Sequence, residues 1–159
     1  MYTIKQIASL LNAKTKFVHA DAFIEQLLTD SRRIIFPETT LFFAIVTERR
    51  NAHAFIAELY ERGVRNFAVQ KGFDAAVFTN ANFIFVDDTL AALQSLAAYH
   101  RKQFNYPVIA ITGSNGKTIV KEWLYQLLSP DYNIVRSPRS YNSQLGVPLS
   151  VWQMNNGFN

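Results

Sequence analysis

Gly113-Ser114-Asn115-Gly116-Lys117-Thr118 is the run of residues best suited to chemistry in this sequence. The chemistry it can do is phosphate binding. Glycines let backbone N–H groups turn inward and approach an anion without side-chain obstruction. A helix beginning near Gly116 would aim its positive end at the same anion. Lys117 adds a mobile cation for the β- and γ-phosphates, and the Thr118 hydroxyl is placed to ligate Mg²⁺. These six residues are the candidate phosphate-binding set, with Lys117 the candidate catalytic group and Thr118 the candidate metal ligand. The common phosphate-loop signature is G-x-x-x-x-G-K-S/T, but Ile111 stands five positions before Gly116, so only G-x-x-G-K-T remains. A strand–helix turn whose glycines serve packing alone is the bland alternative.

The elements that must hold this loop can be read from apolar periodicity. "PVIAIT" is predicted as a buried strand before it. "KTIVKEWLYQLL" places Val120, Trp123, Leu124, Leu127 and Leu128 on one helical face, and "YNIVRS" reads as a further strand. Upstream, Ile4, Ile7, Ala8, Leu10 and Leu11 predict a helix over residues 3–12. "FIEQLLTDSRR" predicts a strand running into a polar turn at Asp30-Ser31-Arg32, and "ETTLFFAIV" a buried strand. Asn51 can cap the helix "AHAFIAELYERG", which Gly63 ends. "RNFAVQ" and "NFIFVDD" are strands, and Asp88 or Thr89 can cap the helix "LAALQSLAAYHRKQF". Strands alternate with helices, so the class is α/β. Pro107 marks the best boundary, giving a first domain over 1–105 and a second over 106–159. The second piece would hold only the opening βαβ unit of a phosphate-loop domain, so the sequence is expected to be part of a longer polypeptide.

Composition narrows the classes. The 159 residues are 49% apolar and 18% charged, as in a water-soluble globular protein. No apolar run is long enough to span a bilayer, and the N-terminal pattern lacks the features of a secretory signal. The expected compartment is the cytoplasm, with no membrane partner. The absence of cysteine excludes disulfides and thiolate chemistry. The net charge of +4 comes from scattered pairs such as Arg32-Arg33 and Arg49-Arg50 rather than a long basic run. No nucleic-acid partner is therefore expected.

"VIAITGSNGKT…KEWL" resembles the ATP-binding loop of the Mur ligases, whose phosphate loop has this shorter form. "TDSRRIIFPETTLFFAI" is similar to their N-terminal domain, "NAHAFI" to their "DGHxFI", and "YNSQLGVPLSV" to their "NxxIGVPL". The matches run over about residues 29–151 in the family's order. The resemblance implies a small UDP-substrate domain followed by the start of an ATP-binding domain. It also implies ATP-dependent amide formation through an acyl phosphate, with Mg²⁺. Within the family the wording is nearest the branch that adds D-Ala-D-Ala to UDP-N-acetylmuramoyl-tripeptide, including a form fused to alanine racemase. The remaining domains would be partners within the same polypeptide.

By that resemblance Ser31, Arg32 and Thr47-Glu48-Arg49-Arg50 line the uridine diphosphate site. Ser137, Ser140 and Asn142 lie where the family contacts the muramoyl part. Taken by themselves, Asp30-Ser31-Arg32 is also an ordinary turn and Arg49-Arg50 an ordinary solvated pair. His53 reads as a packing or hydrogen-bonding residue, and His19 and His100 fall in no motif. The sequence departs from the family at Ile119, where a second threonine is usual, at Thr47, at Asn51-Ala52 and across residues 139–143. The alternative function is a non-catalytic, UDP-precursor-binding or scaffolding module fused to another enzyme. A folylpolyglutamate synthase is disfavoured, because those enzymes lack the UDP-substrate domain.

Overall fold

A computed structural model describes residues 2–48, 50–138 and 141–159, with the backbone alone at Arg50. The chain divides into two compact units, Met1–Leu96 and Ala97–Asn159.

The first unit is built on a mixed sheet whose buried strands are the apolar runs of the sequence. Its strands are β2 (Lys14–Lys16), β4 (Gln26–Leu28), β5 (Thr40–Phe43), β8 (Asn66–Gln70) and β9 (Asn82–Val86), in the order β2-β9-β8-β5-β4. β4, β5, β8 and β9 are mutually parallel, and β2 lies antiparallel on β9. Side chains alternate between faces along a strand. The register sets Phe42 beside Phe67 and Phe67 beside Phe83. These rings contact in turn, edge-on at 6.4 Å and stacked at 5.2 Å. α2 (Ile56–Glu61) contributes Ile56 and Leu59 to the same core. Two small antiparallel pairs complete the unit, β1 (Tyr2–Thr3) with β3 (Phe23–Ile24) and β6 (Val46–Thr47) with β7 (Arg50–Asn51).

Local chemistry sets the helix ends. α1 (Ile4–Leu10) starts at Thr3, whose hydroxyl and backbone N–H exchange bonds with Gln6 in a capping box. It is shorter than the expected span 3–12. Asn51 caps a 3-10 turn, Ala52–Phe55, that leads into α2 rather than α2 itself. Asp88 caps α3 (Thr89–Arg101) by accepting from the N–H groups of Leu90 and Ala91 at 2.7 and 3.0 Å. "FIEQLL" is divided between β3 and β4, which pair with different neighbours.

The second unit contains the end of α3, α4 (Lys117–Leu128) and α5 (Gly146–Val151). Two expectations are corrected here. Neither "PVIAIT" nor "YNIVRS" forms a strand. A strand is held by a hydrogen-bonded neighbour, and among the described residues neither segment has one. Val108 and Ile109 accordingly stay exposed, as do Val120, Trp123 and Leu127 along one face of α4. The buried interior of this unit is small. His100 Nε2 bonds the Met154 carbonyl at 2.9 Å, with the rings of Trp152 and Phe104 against the imidazole at 4.7 and 5.0 Å. Gly146 packs so tightly on Tyr141 that an added Cβ would lie 2.9 Å from its Cα. Among the described residues no helix is long and apolar enough to cross a membrane.

Candidate functional site

The phosphate loop has the backbone its sequence demands. Gly113 and Gly116 adopt φ of +150° and +77°, values that L side chains rarely take. A Cβ on Gly116 would meet nothing within 4 Å, so the requirement there is conformational rather than steric. Gly116 is the N-cap of α4, and no side chain caps this helix. The positive end of the helix therefore faces the loop with no cap side chain at Gly116. The Lys117 ammonium folds back over the loop and donates to the carbonyls of Gly113 and Ser114, the latter at 3.3 Å. The cation is held at the loop mouth by the loop itself. Ser114, Asn115 and Thr118 are exposed around it.

One turn further along α4, Lys121 Nζ donates to the Ser137 carbonyl at 2.8 Å and pairs with Glu122 at 3.0 Å. Glu122 also pairs with Arg136, whose guanidinium carbon lies 4.0 Å from the Tyr125 ring centre. Burial, reinforced by the Arg136 charge, holds the Lys121 pKa below its ordinary value. Sequence reading missed Lys121. Ser137 is half-buried and Asn142 exposed, and Ser140 lies outside the described residues.

The remaining candidates lie in the first unit, in segments leaving the carboxyl ends of its parallel strands. Ser31 follows β4, and Thr47 through Asn51 follow β5. Ser31 is buried, and its carbonyl accepts from Arg62 at 3.0 Å. Arg32 turns back on its own turn and makes a two-pronged contact with Asp30, at 2.9 and 2.8 Å. That side-chain bond, helped by the Arg32 N–H and the charges of Arg32 and Arg33, outweighs burial and lowers the Asp30 pKa to about 2. Thr47 and Glu48 are exposed on the β6–β7 hairpin. Arg49 lies outside the described residues, and Arg50 is described only as backbone in β7. His53 is a packing and hydrogen-bonding residue, as its sequence context suggests. Its Nε2 accepts from Gln70 N–H at 3.1 Å and its ring lies 4.9 Å from Phe73. Burial lowers its pKa, consistent with a neutral imidazole.

An α/β chain with a lysine-bearing glycine loop at a helix N-terminus has the arrangement of a candidate phosphate site. Residues 111–158 match the Mur ligase middle domain. The chain is 31% identical over 153 residues to the UDP-N-acetylmuramoyl-tripeptide–D-alanyl-D-alanine ligase of Bacillus subtilis, covering 96% of this chain and 33% of that protein. Its fold is similar to a crystal structure of MurF from Acinetobacter baumannii, with a TM-score of 0.85 at 30% identity over 98% of this chain and 33% of that one. MurF ligase from Thermotoga maritima in complex with ADP gives a TM-score of 0.69 at 25% identity, over 87% of this chain and 31% of that one. In sequence and in fold the chain is similar to Mur ligases. It spans about a third of the length of the relatives it matches.

Proposed function

We propose that this chain supplies the UDP-substrate domain, 1–105, and the start of the ATP-binding domain, 106–159, of a ligase that adds D-Ala-D-Ala to UDP-N-acetylmuramoyl-tripeptide. The observation that carries this reading is the short G-x-x-G-K-T loop, with its cation held at the start of α4, inside a MurF-like sequence and fold. Support for a nucleotide phosphate chain at the loop comes from two glycines at positive φ and from the Lys117 ammonium held over the loop at the start of α4. For Mg²⁺ the fit is narrower. The chain offers the Thr118 hydroxyl, and among the described residues no group of three His, Asp or Glu could hold a metal ion. Further ligands would be phosphate oxygens and water.

In this reading ATP with Mg²⁺ supplies the phosphoryl group that activates the tripeptide carboxylate. The amine of D-Ala-D-Ala then attacks the activated carbonyl and inorganic phosphate leaves. The loop N–H groups and Lys117 orient the phosphates and neutralise the charge that develops on them. Ser31, Arg32, Thr47 through Arg50, Ser137, Ser140 and Asn142 hold the UDP-muramoyl substrate. The remaining domains of the polypeptide complete the site, and the cytoplasm is its compartment.

The test is ADP release by the complete polypeptide. It is expected to require both UDP-N-acetylmuramoyl-tripeptide and D-Ala-D-Ala and to disappear in Lys117→Ala. ADP release that ignores either acceptor overturns the reading. Residues 1–159 alone are expected to show no ligation, because they span about a third of the length of the ligases they match.

A further inference from the structure

α4 carries two lysines one turn apart, and they do different things. Lys117 closes on the phosphate loop. Lys121, four residues on and so on the same helical face, reaches instead to the Ser137 carbonyl. Its side chain is only 15% exposed, and its ammonium holds that backbone oxygen while pairing with Glu122. Glu122 balances that charge and binds Arg136, and Arg136 lies over Tyr125. Three neighbouring side chains of α4 therefore grip the dipeptide Arg136-Ser137. The grip matters because segment 132–137 has no strand ladder among the described residues to fix its register. Further backbone anchors lie at the far end, where Tyr132 N–H donates to the Leu128 carbonyl and Asn133 exchanges bonds with Asn159.

We infer that Lys121 is a positioning residue that sets Ser137, a candidate muramoyl contact, in register with the phosphate loop through the shared helix α4. The inference rests on the proposed ligase function. One end of α4 orients the phosphoryl donor, and the next turn fixes the chain that leads to the acceptor. A rigid helix then holds donor and acceptor at a set separation, and a small misplacement there is costly to rate. Lys121 touches neither reactant, so its loss acts on the muramoyl substrate and spares ATP.

The experiment is steady-state kinetics on the complete polypeptide with Lys121→Met, Lys121→Arg and Arg136→Gln. Lys121→Met is expected to raise the KM for UDP-N-acetylmuramoyl-tripeptide about 10-fold, the scale of a lost charge-assisted hydrogen bond. The KM for ATP should change less than about twofold, and Lys121→Arg should restore most of the loss. Arg136→Gln leaves Lys121 in place, removes the second contact and should shift the same KM in the same direction. It serves as the test should Lys121→Met not fold. An unchanged muramoyl KM in a folded Lys121→Met, or equal rises in both KM values, overturns this inference and leaves the ligase reading intact. An inactive wild-type protein overturns both.

Discussion

Asn66 and Asn82 stand side by side on β8 and β9 and share a side-chain hydrogen bond of 2.8 Å inside the protein. Asn82 also accepts from the N–H groups of Val18 and His19 at 2.8 and 2.9 Å and donates to the His19 carbonyl at 3.1 Å. One buried amide therefore ties an irregular segment to the sheet, while Asn66 reaches the carbonyls of Glu38 and Thr40. Asn82→Leu keeps the size but strands these partners. It should destabilise the chain by about 2–4 kcal/mol. Urea denaturation followed by circular dichroism measures this, with the midpoint falling at unchanged slope. A loss below about 0.5 kcal/mol would show that water replaces the amide.

Lys117 contributes a positioned charge rather than structure, since its partners are two loop carbonyls that water can serve. In the complete polypeptide Lys117→Met should lower kcat/KM for ATP by about 10²–10³-fold, the scale of losing one preorganised donor to a developing charge. The melting temperature should stay within about 2 °C. A comparable loss of melting temperature and activity would assign Lys117 to folding instead.

Acid should weaken the fold in two windows. Burial holds the pKa values of His53 and His100 below 6.5, so the unfolded chain takes up protons first as pH falls. Their contribution is complete above about 6.5 and is lost as pH drops through their lower folded values. His53→Phe should flatten this part of the curve of melting temperature against pH. Asp30 acts lower down. Its folded pKa of about 2 against an ordinary 3.8 gives stability that is present above that ordinary value and lost as pH falls toward 2. Asp30→Asn should alter only this lower limb, and modestly, because Arg32 is exposed. A curve for His53→Phe that parallels the wild type between pH 7 and 5 would contradict the account.

Gly146 has no room for a side chain. A Cβ there would sit 2.9 Å from the Tyr141 Cα and 3.0 Å from its carbonyl carbon, both backbone atoms that cannot swing aside. Gly146→Ala should therefore cost about 1–3 kcal/mol despite lying in a helix, where alanine is usually favoured. Denaturation of the variant checks the sign. A stabilised variant would mean that the turn before α5 is free to shift.

β5, β8 and β9 were legible because their residues are buried on both faces, so aromatic and branched runs such as "TLFF" and "NFIFV" report them directly. β2 was not legible. "KTK" has no apolar alternation and becomes a strand only because β9 offers it an edge. The reverse error at "PVIAIT" and "YNIVRS" has the same origin: an apolar run states a preference, and a ladder needs a neighbour. In the site, the phosphate loop could be read because glycine conformation and a following lysine are local properties. The Lys121–Ser137 contact could not, because its acceptor is a backbone oxygen sixteen positions away, which no residue type announces.

The closeness of Trp152 to His100 makes the chain its own pH indicator. A protonated imidazole quenches a touching indole, whereas a neutral one does so weakly. The sequence has two tryptophans, and the other, Trp123, is 66% exposed. Such an exposed indole should emit to the red, leaving the blue edge of the spectrum mainly to Trp152. Following that edge while acid is added would titrate one buried histidine inside the folded second unit, with no label attached and no ligand required.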